Sequence, residues 1–154
     1  MFRIRFDPTI IGFDVHPGRF TQAVSDAMYS EGLPLRFYQF SPVPGQMVFR
    51  KKIGFGYGIP WTLPGTQPVD YDIEEFPNTL EVLENTRCIG KPGTSGPNYF
   101  RNSATMHAYI EGFEKLWENL DPIVDYAQKL DYQPPWSNIA LSTRGDWTVM
   151  TPEN

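Results

Sequence analysis

The side chains best suited to chemistry lie in one stretch, Leu33–Trp61, which we call the central segment. A basic trio, Arg50, Lys51 and Lys52, is followed by a run of alternating glycine and aromatic residues, Gly54–Gly58. Such cations could attract a phosphate or a carboxylate, although a solvated charge run needs no ligand. Long loops of this kind are uncommon in compact domains and are usually functional. We therefore expect the central segment to be the functional region.

The other reactive side chains form no recognised catalytic group. His16 and His107 are the only histidines, and we expect both to be structural or solvent-facing. Cys88, the only cysteine, lies in a predicted strand, where a lone cysteine is usually a small buried hydrophobe. The sequence shows no Ser-His-Asp or Cys-His arrangement. The residues alone therefore do not specify an active site.

Two further patterns are typical of ligand sites but lack essential residues. The run Gly54–Gly58 is not followed by the Lys-Ser/Thr pair of a phosphate-binding loop. It is better interpreted as flexible spacing for aromatics that pack on a neighbour. An acidic group after the central segment lacks the glycine and the ligand order of a calcium loop, so we expect a solvated loop there. That group comprises Asp70, Asp72, Glu74 and Glu75.

The composition indicates a single, loop-rich domain. The chain has 154 residues, with 15 prolines and 13 glycines, which implies many turns between few regular elements. A formal charge of −5 makes nucleic acid a poor default partner, and one cysteine excludes an internal disulfide. The sequence has no apolar run of the ~20 residues that a membrane span needs, and no signal-peptide pattern. We expect a cytoplasmic protein without a membrane or nucleic-acid partner.

In the N-terminal part, the periodicity predicts a strand, a helix and a second strand. Apolar and basic residues alternate over Met1–Phe6, which is the period of a half-buried strand. Arg19–Ser30 has one apolar stripe at helical spacing, Pro17 suits the entry of this helix, and Gly32 suits the position past its end. Leu33–Phe40 is the predicted second strand. The stripe comprises Phe20, Ala23, Val24, Ala27 and Met28.

The C-terminal part predicts a second helix from Phe76-Pro77-Asn78, a strand over Thr86–Ile89, and then the longest helix. Asn102 or Ser103 is suited to cap that helix, which we expect to be the main core-facing element. A further short helix spans Ile123–Leu130. The apolar positions of the long helix are Met106, Tyr109, Ile110, Phe113, Leu116, Trp117 and Leu120.

These elements predict an α+β fold, with a small, mainly antiparallel sheet and helices packed on one face. Residues 1–130 form the expected domain, and residues 131–154 form a C-terminal extension. Within the extension, the alternation of Trp147 and Val149 could make a last strand, or the extension could lie extended on a partner.

The order of these elements resembles the C-terminal small domain of the DegT/StrS family, the PLP-dependent aminotransferases that act on keto-sugars and cyclitols. The similarity covers Met1–Asp125 in the correct order. Phe40-Ser-Pro-Val-Pro resembles the loop where an aromatic-Pro-Val-Pro run is typical of the cyclitol and antibiotic-sugar branch. The matching segments are Phe2–Pro8 (FRIRFDP), Tyr29–Pro34 (YSEGLP), Phe40–Pro44 (FSPVP), Pro60-Trp61, Phe76-Pro77-Asn78, Cys88–Pro92 (CIGKP) and the helix Thr105–Leu120.

In that family, the lysine that forms the Schiff base with PLP, the acid that pairs with the pyridine nitrogen and most phosphate ligands lie in a preceding large domain. This sequence contains no such domain, and none of its lysines sits in a matching motif, so the resemblance transfers no catalytic residue. PLP chemistry requires that lysine. The chain alone is therefore not expected to transaminate. The lysines are Lys51, Lys52, Lys91, Lys115 and Lys129.

The resemblance implies three alternatives. In a split enzyme, this chain is the small subunit of a hetero-oligomer whose large subunit holds PLP, and the central segment helps to enclose the sugar or cyclitol. Aromatic faces suit sugar C–H groups and cations suit hydroxyls or phosphates, so the candidate substrate-binding residues are Tyr38, Phe40, Arg50 and Trp61. Alternatively, the chain is a non-catalytic regulatory or binding module, or a fragment of a longer protein. A domain that sits against a large partner should expose an extended apolar surface.

Overall fold

The computed structural model describes residues 2–90 and 102–137. Within these residues the fold is α+β, with five helices and a three-stranded antiparallel sheet, which confirms the predicted class. The strands are β1 (Arg3–Arg5), β2 (Leu35–Arg36) and β3 (Thr86–Ile89). The helices are α1 (Pro17–Ser30), α2 (Met47–Arg50), α3 (Pro77–Asn85), α4 (Ser103–Glu118) and α5 (Leu120–Lys129).

The last of the three described strands, β3, lies in the middle of the sheet. Its Cys88 is opposite Arg3 of β1 and Arg36 of β2 in the two antiparallel ladders. Strand β2 is much shorter than the predicted Leu33–Phe40. The rings of Phe37 and Phe40 pack at a tilt of 45° with their centroids 5.2 Å apart, whereas side chains three residues apart in a strand point to opposite faces. The chain therefore leaves the extended conformation directly after β2.

Helix α1 is the centre of the core and follows the sequence prediction closely. Pro17 is its first residue, and Gly32 has a left-handed backbone (φ 76°) just past its end. The amide of Leu33 donates to the carbonyl of Met28 at 2.9 Å and closes the last turn. Four of the five predicted stripe residues are buried. They pack with buried residues of α4, α5 and β3, namely Tyr109, Leu116, Val124, Ala127 and Ile89.

Helix α4 is not the main core-facing element that the sequence predicted. Its buried residues are Tyr109, Gly112 and Leu116, whereas three members of the predicted stripe are exposed. A Cβ atom at Gly112 would lie 2.5 Å from a methyl group of Leu33, so the glycine permits close packing along a narrow line. The seven predicted apolar positions extend around more of the helix than this narrow line, so the apolar residues beside the line face outward. The exposed members are Met106, Ile110 and Trp117.

The beginning of the C-terminal extension packs against the domain. The ring of Tyr132 lies 5.6 Å from that of His16, and Pro135 is buried. A Cβ atom at Gly18 would be 2.5 Å from the Tyr132 ring, so this glycine makes room for the tyrosine. Residues 138–154, including the predicted strand at Trp147 and Val149, lie outside the described residues, as does Lys91.

The start of α4 offers a direct test of the capping prediction. The Asn102 side-chain oxygen accepts the Ala104 amide at 2.9 Å, so removing it leaves an unbonded helix amide. We expect Asn102→Ala to lower the free energy of unfolding by about 1 kcal/mol, measured by urea denaturation. Asn102→Asp keeps the acceptor and should be close to wild type; an equal loss in both variants would contradict the cap.

None of the helices in the described ranges combines the length and apolar character needed to cross a lipid bilayer.

Candidate functional site

The central segment is more ordered than the irregular loop that the sequence predicted. A 3-10 turn, Val43–Gly45, and helix α2 follow the strand, and a chain of turns then leads to Trp61. The amide of Ile53 donates to the carbonyl of Val48 at 3.1 Å, which fixes the direction of the chain after α2. The basic trio therefore lies at the end of a short helix.

An aromatic trio, Phe49, Trp61 and Tyr71, packs helix α2 against the chain that follows it. The ring of Trp61 is edge-on to both others, with centroids 6.2 Å from Phe49 and 6.1 Å from Tyr71. The indole Nε1 of Trp61 donates to the hydroxyl of Tyr71 at 2.7 Å. Aromatic pairs at these separations stabilise beyond the area they bury. The sequence predicted Trp61 as a site residue but gave no periodic signal for Phe49 or Tyr71.

A cleft of about 420 Å³ lies beside the aromatic trio, and we call it the charged cleft. Two cations and two carboxylates line it, together with an aromatic and an aliphatic side chain. These residues are Arg50, Lys52, Asp70, Tyr71, Asp72 and Ile73. Asp70 accepts the Tyr71 amide at 2.7 Å, and Asp72 accepts the Glu74 amide at 3.0 Å, so both carboxylates have fixed positions. The cleft can hold a polar ligand by donors and acceptors and by the Tyr71 ring.

The four predicted substrate-binding residues form two groups. Arg50 and Trp61 meet around Tyr71, since Arg50 lines the cleft with it and Trp61 donates to its hydroxyl. Tyr38 and Phe40 form the other group, at the end of β2. The Arg3 guanidinium lies 4.9 Å from the Tyr38 ring centroid, whereas Phe40 packs on Phe37. Both residues of this second group are exposed.

Arg87, which the sequence did not suggest, is a buried cation behind the second group. It is 1% exposed and its guanidinium lies 3.7 Å from the Phe37 ring centroid. Its Nη1 donates to the carbonyls of Glu84 and Thr86 at 3.1 and 3.0 Å. Burial lowers the pKa of Arg87 to about 10, which still leaves it charged at neutral pH. It supports Phe37 from the core side.

No described lysine fits the role of a PLP-binding nucleophile. Lys51, Lys52, Lys115 and Lys129 are all exposed, and Lys115 is paired with Glu31 at 2.6 Å. A Schiff-base lysine is typically held in an apolar pocket that favours its neutral form. The part of the chain that the structure describes therefore offers no lysine in such a pocket.

Cys88 and His107 lie in surroundings that do not indicate catalysis. Cys88 is buried, and burial raises the pKa of its thiol, as expected for a small hydrophobe rather than a nucleophile. His107 is exposed and its Nδ1 lies 2.8 Å from the Ser103 carbonyl. Across residues 2–90 and 102–137, no three metal-ligating side chains cluster.

The bond between Trp61 and Tyr71 can be tested by removing one hydroxyl. We expect Tyr71→Phe to lower the stability of this segment by about 1 kcal/mol, the usual value of a partly buried hydrogen bond, and to shift the Trp61 indole proton in NMR spectra. Tyr57→Phe removes a hydroxyl from a side chain that is almost fully exposed, and should leave that proton unmoved. An unchanged indole signal in Tyr71→Phe would contradict the bond.

The chain matches no protein-family model and no curated protein.

Proposed function

We propose that this chain is the small subunit of a split PLP-dependent aminotransferase that acts on a keto-sugar or a cyclitol. A separate large subunit would carry PLP and its lysine, and the two chains would work as a hetero-oligomer in the cytoplasm. The observation that carries the proposal is the charged cleft beside the aromatic trio, where Arg50 and Trp61 meet around Tyr71. Rings that accept C–H faces next to fixed donors and acceptors suit a polyhydroxylated substrate.

The role of this chain would be binding and orientation. Arg50 and Lys52 would donate to substrate hydroxyls or phosphates, and the Asp70 and Asp72 carboxylates, whose positions are fixed by backbone amides, would accept from hydroxyls. Tyr38 and Phe40 would contact the substrate from the end of β2. PLP supplies the electron sink for amino transfer when bound. Because the described lysines are exposed, the partner would supply the lysine that binds PLP.

The distribution of exposed apolar side chains supports a large partner. Of the 19 large hydrophobic residues that are exposed in the described ranges, 11 lie between Tyr38 and Phe76. Monomers rarely concentrate exposed apolar surface in one region, whereas interaction surfaces do. The same segment that forms the charged cleft therefore provides surface for a second chain.

Co-purification tests the proposal. The tagged chain, isolated from its native cells, should bring down a stoichiometric partner with the absorption of a PLP–lysine Schiff base, and aminotransferase activity should require both chains. A partner that is fully active without this chain would support the regulatory module instead. A colourless chain without a companion would contradict the split enzyme.

Within the active mixture, Arg50→Gln tests the charged cleft. Loss of one charge-assisted hydrogen bond should raise KM for the sugar or cyclitol by about 10-fold to 100-fold with a smaller effect on kcat. Lys129→Gln, on the exposed face of α5, is the matched control with equal charge change and should be near wild type. Equal KM values for all three proteins would remove Arg50 from the substrate site.

A further inference from the structure

Two aromatic side chains stand almost completely in solvent at one turn of the central segment. Phe55 is 93% exposed and Tyr57 is 99% exposed, and both belong to the glycine-spaced run that the charged cleft does not use. Isolated exposed apolar residues are ordinary. Two rings on one tight turn, each with almost its whole surface in water, are not explained by the packing of residues 2–90 and 102–137.

The turn that carries these rings is held by its own backbone. The Phe55 amide donates to the Ile59 carbonyl at 3.0 Å, and the Ile59 amide donates back to the Gly56 carbonyl at 3.0 Å. The Thr62 hydroxyl donates to the Tyr57 carbonyl at 3.1 Å. A ring presented on a preorganised backbone loses little conformational entropy when it binds.

The backbone of Tyr57 points to function as well. Its φ is 50°, a left-handed conformation that is uncommon for a bulky residue and that costs free energy. The glycines on both sides, Gly56 and Gly58, also have positive φ values. The fold thus maintains an unfavourable backbone conformation at the residue whose ring is most exposed.

The charges near this turn indicate what kind of partner surface it would bind. Residues 46–63 include Arg50, Lys51 and Lys52 and not one acid, although the chain as a whole is acidic. Arg50 and Lys52 line the charged cleft together with its two carboxylates, and Lys51, between them in sequence, is exposed. A complementary surface would have an apolar pocket for the rings and carboxylates at its rim.

We propose that the Phe55–Tyr57 turn is a docking element that inserts both rings into an apolar pocket with an Asp/Glu rim on a partner protein. The assignment of that partner as the PLP-bearing large subunit rests on the proposed function; the docking element itself does not. The rings act as anchors, and Lys51 speeds association by attraction to the rim. The turn lies next to the aromatic trio, since a Cβ atom at Gly54 would be 2.7 Å from the Trp61 ring. Docking would therefore bring the partner beside the charged cleft.

Photocrosslinking in the native cells tests the docking element. Benzoylphenylalanine at position 57 of the full chain should crosslink to one protein, and mass spectrometry should map the crosslink to apolar residues flanked by Asp or Glu. The same probe at position 29, an exposed tyrosine on α1, should give little of that product. If the mapped protein binds no PLP, the docking element stands and the split enzyme fails.

Affinity measurements on the crosslinked partner, once purified, complete the test. Phe55→Ala and Tyr57→Ala should each weaken binding by about 30-fold or more, as anchors do, with unchanged melting temperatures because both rings are exposed. Tyr29→Ala is the control and should change Kd less than ~3-fold. Lys51→Gln should slow association, and its effect should vanish at high salt.

Three results would overturn the proposal. The first is equal crosslinking from positions 29 and 57, and the second is crosslinking of position 57 only to another copy of this chain. The third is a lack of any protein crosslink, combined with cosedimentation of the wild-type chain, but not of Phe55→Ala, with vesicles of phosphatidylcholine and phosphatidylserine. That result would assign the aromatic and basic turn to a membrane surface.

Discussion

Replacing Tyr109 by alanine should lower the free energy of unfolding by about 4 kcal/mol, the middle of the range for a large buried aromatic. The side chain is 2% exposed and lies in the core cluster with α1 and β3. A domain of this size has a total stability of roughly 5–15 kcal/mol. The variant should therefore unfold at much lower urea concentration, with the m-value unchanged if the domain remains two-state.

Replacing Tyr109 by phenylalanine separates the contribution of packing from that of the hydrogen bond of the hydroxyl. Its hydroxyl lies 2.8 Å from the Pro34 carbonyl and 2.9 Å from the Gly90 carbonyl, so one proton is shared between them. The Gly90 amide also donates to the Pro34 carbonyl. Tyr109→Phe should therefore cost only about 1 kcal/mol. Met106→Ala, at an exposed position on the same helix, is the control. A loss in that variant equal to that of Tyr109→Ala would contradict the assigned core face of α4.

The same residue gives a pH dependence. Burial raises the pKa of Tyr109 to about 12 in the folded protein, against 10.0 for an unperturbed tyrosine. Between those values the unfolded chain loses the proton that the folded chain keeps, so this contribution to stability is complete below pH 10 and is lost as the pH rises towards 12. Tyr109→Phe should make the decline less steep, as followed by unfolding at several pH values. Tyr132, whose pKa is also raised by burial, should keep its own contribution to the pH dependence of stability in that variant.

Gly54→Ala should open the turn that carries Phe55. Gly54 has φ 52°, and a Cβ atom there would lie only 1.7 Å from the Ile59 carbonyl oxygen. The left-handed backbone alone costs about 1–2 kcal/mol for a residue other than glycine, and the contact with a backbone atom adds to this. With a total of about 3 kcal/mol, hydrogen exchange of the Phe55 and Ile59 amides should become ~100-fold faster. Trypsin should also cut faster after Lys52.

Gly56→Ala is the matched control for that experiment. Gly56 has φ 95°, but a Cβ atom there would meet nothing within 4 Å. Only the backbone penalty of about 1 kcal/mol remains, so exchange should rise by ~10-fold or less. The remainder of the domain, followed through the α1 amides, should be unaffected in both variants. Equal effects at positions 54 and 56 would show that the contact with Ile59 does not define the turn.

The parts of the fold that depend on local signals were predictable. The stripe of α1, Pro17 at its start and Gly32 past its end act within one or two helical turns. The same holds for strand β3, which has the predicted bounds, and for the Asn102 cap of α4. Each signal depends on neighbours in sequence, so a single sequence is enough to recognise it.

The parts that were missed depend on contacts between distant residues. Strand β2 ends before Phe37, whose ring packs against Phe40 and lies under the guanidinium of Arg87, fifty residues later. In the candidate site, the cleft depends on Tyr71, which the sequence did not distinguish from the other tyrosines. Periodicity carries no information on such pairs. Arg50 and Trp61 could be nominated from residue type alone, but not the residues that bring them together.

The position of β3 between two earlier strands has a consequence for the route of folding. Among the described strands, β1 and β2 each pair only with β3, so neither has such a neighbour before residues 86–89 have been synthesised. Helix α1 meets α5 through pairs such as Asp26 and Tyr126, 100 positions apart. Such non-local contacts slow folding, because long loops must close before they form. The apolar face of α1 is therefore not fully covered until α5 has been synthesised, and apolar surface that is exposed in this way promotes aggregation.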